Sequence, residues 1–125
     1  MNKIIVAGFV AIASITSGSA FAGGNVDAGK AVVAKYNCGS CHGADLNSPI
    51  SPDYPKLAGQ IPDYIAHALH AYQRGDAGTQ ANGRVQPVMG AMAKQLNDQE
   101  IKDVAAYIGS LPGNLITVTE SKFRK

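Results

Sequence analysis

Apolar residues are bunched at the start of the chain and spaced periodically after it. The run IIVAGFVAIASI (4–15) is apolar or small throughout; Lys3 precedes it, and TSGSAFA (16–22) follows, with Ala20 and Ala22 in the pattern of a cleavage site. This run is shorter than the roughly 20 residues a membrane-spanning helix needs. Residues 1–22 are therefore expected to be a signal peptide cleaved near Ala22-Gly23, with 23–125 as one exported, periplasmic domain. After the leader the apolar spacing turns helical. NVDAGKAVVAKYN (25–37) offers Asn25 and Asp27 as caps ahead of Ala31 to Ala34, and predicts a helix ending just before Cys38. PDYIAHALHAYQRG (62–75) has proline in its first turn, Ile65, Ala68, Leu69 and Tyr72 on one face, and Gly75 as a stop. NDQEIKDVAAYIGSLPG (97–113) opens on Asn97 or Asp98 with Glu100 in its first turn, and carries Ile101, Val104, Ala105 and Ile108 as an apolar face.

Between these helices lie two irregular stretches. In GADLNSPISPDYPKLAGQ (43–60) Pro49, Pro52 and Pro55 forbid regular structure, and the glycine-rich DAGTQANGRVQP (76–87) delivers VMGAM (88–92) into the last helix. No strand alternation is present, so the fold class is all-α, with connections long for a helical domain of this size. Such loops usually wrap something.

Composition adds a reason to look for a cofactor. The 103 residues left after the leader form one small domain with little core of its own, no tryptophan and one phenylalanine, Phe123 in the tail, Phe21 belonging to the leader. A large apolar cofactor would supply what the sequence lacks. Charge excludes more than it suggests: without Lys3, 10 basic residues face 9 acidic ones, and only SKFRK (121–125) is locally basic, so no nucleic-acid footprint is visible.

Chemistry concentrates in YNCGSCHGAD (36–45), which holds both cysteines and one of three histidines as Cys38, Cys41 and His42. A thioredoxin-like pair would need a strand-to-helix junction that is absent here. Structural zinc would need four ligands from two separated pairs. A plain disulfide across two residues would constrain almost no loop entropy. Haem attachment accounts for all three residues: the thiols add to the two vinyl groups of the porphyrin, and the histidine after the second thiol takes the iron. For the other axial position the residues leave Met89, Met92, His67 and His70 as candidates, methionine being a soft ligand that prefers reduced iron.

CGSCHG (38–43), YPKLAGQ (54–60) and MGAMAKQLNDQEIKDVAAYI (89–108) together resemble a class I c-type cytochrome, in particular one domain of the small periplasmic cytochromes that occur as single-haem or tandem dihaem proteins. The resemblance covers nearly all of the mature chain. It implies a cytochrome c fold, three to five helices around one haem c attached through Cys38 and Cys41, with His42 as proximal ligand. In that family the methionine ligand lies seven residues before the leucine preceding the last helix's cap, which selects Met89 over Met92 through Leu96. Pro55 resembles the proline whose carbonyl accepts the Nδ1–H of the ligand histidine. Leu57, Ile65, Leu69 and Leu96 are candidates to line the haem, and Arg84 and Gln60 to meet its propionates. Gly29 and Tyr107 resemble the pair at the crossing of the first and last helices.

The function the resemblance implies is electron transfer between periplasmic redox partner proteins, by a monomer with no small-molecule substrate, no nucleic acid and no enzymatic activity of its own. Two alternatives stand beside it. One is a cytochrome subunit of a periplasmic dehydrogenase, with NLITVTESKFRK (114–125) as a docking arm; the other is an open-site haem protein with peroxidase or gas-binding activity.

Overall fold

A computed structural model describes residues 23–75 and 82–115, so the expected leader, residues 76–81 of the 76–87 loop and residues 116–125 of the tail lie outside the described residues. Among the described residues there are five helices and no strand: α1 (Val26–Lys35), α2 (Gly39–His42), α3 (Pro62–Arg74), α4 (Pro87–Ala93) and α5 (Asp98–Ser110). None of these helices is long and apolar enough to cross a membrane. α1 and α3 both pack on α5, and α4 packs on α3.

Each predicted helix starts on the signal its sequence carries. The Asn25 side chain accepts the Ala28 N–H at 2.9 Å and caps α1. Pro62 sits in the first turn of α3, and Gly75 ends it at φ 58°. α5 opens on a reciprocal box, Asn97 accepting from the Glu100 amide and the Glu100 carboxylate from the Asn97 amide. α5 stops at Ser110, because Leu111 before Pro112 is driven into an extended conformation. Two helices depart from expectation. α2 is a single turn inside the haem-attachment motif, and VMGAM belongs to a helix of its own, separated from α5 by a turn.

The core forms where the apolar faces of α1, α3 and α5 meet the 43–60 loop: Val32, Leu46, Ala58, Ile65, Val104, Ala105 and Ile108. Leu46 is 1 % exposed although its φ is 55°, a left-handed backbone that costs a non-glycine residue about 1–2 kcal/mol. Its burial and its carbonyl, which accepts both the Leu57 and Ala58 amides at 2.8 and 2.9 Å, offset that cost and fold the proline-rich loop back onto the core.

Ties between distant segments reinforce the α1/α5 pair. Asp103, buried on α5, accepts the Asn25 amide at 2.7 Å and Gln99 Nε2 at 2.9 Å. At the other end of α1, Glu100 accepts Lys35 Nζ at 2.8 Å and the Tyr36 hydroxyl at 3.2 Å, and the Lys35 ammonium, then the Asn97 amide, hold its carboxyl below the usual value.

The crossing itself depends on Gly29. A Cβ there would stand 2.0 Å from the Asp103 carbonyl oxygen and 2.7 Å from Tyr107 Cβ, so the two backbones touch where a side chain is missing. Gly29→Ala must push the helices apart, at an expected cost on the order of 3 kcal/mol, or roughly 15 °C in Tm for a domain of this size. A thermal melt of the holoprotein checks this, and a Tm within 3 °C of wild type would contradict the crossing.

Candidate functional site

The attachment motif is wound into a helix by the residue before it. Asn37 has φ 52°, a left-handed conformation that asparagine tolerates better than most residues, and it turns the chain out of α1 while the Cys38 amide reaches back to the Val33 carbonyl at 3.1 Å. The Cys41 and His42 amides then both bond to the Cys38 carbonyl, at 3.3 and 3.1 Å. One helical turn therefore sets Cys38 and Cys41 three residues apart on the same side. Both are free, half-buried thiols. Cys38 packs against the core, and burial pushes its thiol up; Ser40 Oγ lies 3.8 Å from Cys41 Sγ.

His42, 5 % exposed, closes α2 with its Nδ1 2.8 Å from the Pro55 carbonyl oxygen. A carbonyl can only accept, so Nδ1 is the donor of this bond and Nε2 is the ring nitrogen left to face a ligand. No hydrogen bond reaches Nε2 from the described residues. The Tyr54 ring stands edge-on to the imidazole, centroids 6.1 Å apart, a neighbour the sequence did not single out. The next residue must be glycine: Gly43 has φ 87°, and a Cβ there would lie 2.3 Å from the Ser48 carbonyl oxygen. Beyond it the loop is stitched down, the Asp45 carboxylate accepting from the Asn47 and Ser48 amides and the Ser48 hydroxyl, which holds the carboxyl below its ordinary value, and the Ile50 amide returning to the Cys41 carbonyl at 3.1 Å.

The other candidates are dispersed. Leu57, Leu69 and Leu96 are half-buried against the core. Met89 is half-buried on α4, whose first turn is capped by the Gln86 side chain accepting the Met89 amide at 2.5 Å. Met92, also half-buried, has its sulfur 3.8 Å from Gln95 Nε2. His67 is exposed, whereas His70 is half-buried with Nδ1 3.0 Å from Gln73 Oε1. Gln60 turns onto its own segment and accepts the Ile61 amide at 2.9 Å. Arg84 lies over the rings of Tyr64 and Tyr72, 5.4 and 5.6 Å from their centroids, and donates to the Tyr64 hydroxyl at 3.1 Å. Gln73 and Gln86, which fix α4, were missed by sequence reasoning, because a glutamine in a helical face or before a proline carries no local signal of its partner.

These residues fit a covalently attached haem. Two thiols share one side of a turn, a buried imidazole leaves Nε2 without a hydrogen-bond partner among the described residues, and half-buried leucines flank the core. Among the described residues no cluster of three or more His, Cys, Asp or Glu could complete a metal site instead.

Comparisons with known proteins agree. The family model for cytochrome c matches residues 26–112. The chain is 38 % identical over 117 residues to cytochrome c4 of Stutzerimonas stutzeri, covering 92 % of this chain and 53 % of that one. To cytochrome c4 of Pseudomonas aeruginosa it is 36 % identical over 131 residues, covering 99 % and 59 %. The crystal structure of reduced recombinant cytochrome c4 from Pseudomonas stutzeri superposes with a TM-score of 0.63 at 37 % identity, over 74 % of this chain and 48 % of that one. The chain thus spans a little over half the length of the curated relatives it matches. Its two thiols at this spacing carry one covalently bound haem c. The chain belongs to the cytochrome c family, as a class I c-type domain that resembles one domain of a tandem dihaem protein.

Proposed function

We propose that this protein is a periplasmic one-electron carrier that passes electrons between redox partner proteins, with His42 and Met89 as the axial ligands of its haem iron. The observation that carries the reading is the buried imidazole of His42, whose Nδ1–H is committed to the Pro55 carbonyl. That bond fixes the ring and commits Nδ1, so that Nε2 is the nitrogen turned to the iron. When bound, the haem supplies a one-electron iron couple, which a histidine and methionine ligand pair holds at a high potential. Every other role belongs to the chain.

Cys38 and Cys41 hold the cofactor by thioethers, and Leu57, with Leu69 and Leu96, keeps water from it. Met89 is favoured over Met92 because the Met92 sulfur has a polar neighbour in Gln95, and over His67 because that histidine is exposed. With 10 basic and 9 acidic residues in the mature chain, and Val85 exposed just before α4 and Val88 in its first turn, docking to a partner rests on apolar contact more than on charge steering. A monomer with both axial positions filled by its own side chains needs no small-molecule substrate.

Carbon monoxide tests this reading. The ferrous holoprotein, cycled between ascorbate and ferricyanide, is expected to keep its spectrum under the gas; rapid binding with a shifted Soret band would mean an open iron, and an enzyme or sensor in place of a carrier.

A further inference from the structure

The helix that bears Met89 has seven residues, too few to stand alone, so its position is set by what ties it to α3. The chain leading into it is tied by the main chain, the Arg84 amide donating to the Ala71 carbonyl at 3.0 Å. Its far end is tied by a side chain. Gln73 Nε2 donates to the Ala93 carbonyl at 3.0 Å and to the Leu96 carbonyl at 2.8 Å. Both partners can only accept, so the atom facing them is the amide nitrogen and the amide oxygen faces His70. His70 must then donate from Nδ1, at 3.0 Å, and it holds the Gln73 amide in the orientation the two carbonyls require. No main-chain amide of the described residues reaches the Leu96 carbonyl, whereas Ala93 also accepts the Leu96 amide.

We propose that Gln73, oriented by His70, is a positioning residue that clamps α4 onto α3 and so keeps the Met89 sulfur on the iron. The inference rests on the assignment of Met89 as ligand. For the sulfur to leave, α4 must shift against α3, and the Gln73 bonds resist that shift while leaving the fold elsewhere untouched.

The experiment is the rate at which imidazole replaces the methionine in the ferric holoprotein, followed by loss of the far-red band that sulfur ligation produces. Losing the bonds to these carbonyls is expected to speed exchange about tenfold, equivalent to about 1.4 kcal/mol. Gln73→Leu and Gln73→Glu should both show it, the second because it keeps the side chain's size but has no N–H to donate. His70→Ala, which leaves Gln73 present but unoriented, should give about threefold alone and nothing further on top of Gln73→Leu. Gly29→Ala, which loosens the fold at a different crossing, should lower Tm without speeding exchange. Wild-type rates in Gln73→Leu, or in Gln73→Glu alone, overturn the clamp, the latter by showing that packing suffices. An unchanged rate in His70→Ala overturns its part in it. A wild-type ferric spectrum with no far-red band overturns the ligand assignment itself and the clamp with it.

Discussion

Replacing Cys38 and Cys41 together by serine is expected to abolish covalent haem and to leave a chain that is largely unfolded at growth temperature. The expectation follows from how little apolar material the polypeptide buries. Among the described residues the core comprises ten buried hydrophobic residues, four of them alanine, and of these only Leu46 and Ile101 are large and fully buried. A ligand that binds only the folded state stabilises it in proportion to the logarithm of its concentration over its dissociation constant. Tethering raises the local haem concentration to about 1 mM, against about 1 µM free, and that thousandfold is worth about 4 kcal/mol. Small domains have about 5–15 kcal/mol in all, so the thioethers supply a large share. Haem staining of a denaturing gel and far-UV dichroism of the periplasmic fraction check the two halves of the result. A double variant that keeps helicity and Tm would show that the polypeptide core suffices without the tether. Single variants should retain one link, with Cys38→Ser the worse of the two because Cys38 packs against the core and the hydroxyl would be buried there.

What the sequence made legible was what short-range chemistry decides. Asn97 with Glu100, Pro62 with Gly75, and Asn25 ahead of an apolar run each carry within a short stretch of chain everything that starts or stops a helix, and α1, α3 and α5 lie where those signals put them. α4 was hidden by two local contradictions. Its cap is a glutamine, which is not a preferred capping residue, and Gly90 in its interior reads as a breaker; Pro87 in the first turn and the packing on α3 outweigh both. α2 is one turn long, below what periodicity can register. Partners distant in sequence were legible only where a family pattern names them. Nothing local in GADLNSPISPDYPKLAGQ says that Leu46 accepts a left-handed backbone to bury itself, or that Asp103 on α5 is buried to receive the amide of Asn25. Gln73 is the clearest case: on a helical wheel it is an ordinary polar residue, and only the approach of α4 turns it into a double donor.

Met89→Ala is expected to lower the reduction potential by about 0.2 V, a quarter of the ~0.8 V that axial ligands command, and to erase the far-red band. The sign follows from ligand chemistry. A thioether is soft and stabilises Fe(II) relative to Fe(III), so replacing it with water, a harder oxygen donor, favours the ferric state and the potential falls. Met92→Ala supplies the contrast. Its sulfur lies one helical turn further along α4, where it accepts from Gln95 Nε2, and its loss removes a packing contact and that weak hydrogen bond, so the potential should move by less than about a tenth of the Met89 effect. The two variants separate ligation from burial, because both delete a half-buried methionine from the same seven-residue helix and only one should change the colour of the iron. Loss of the band in Met92→Ala with retention in Met89→Ala would move the ligand by three residues; retention in both would take methionine off the iron. Spectroelectrochemistry of the two proteins side by side decides among these outcomes. A fall confined to Met89→Ala would also explain why so short a helix is tied to α3 both before its first turn and after its last: the potential of the carrier depends on a bond that α4 alone is too small to hold in place.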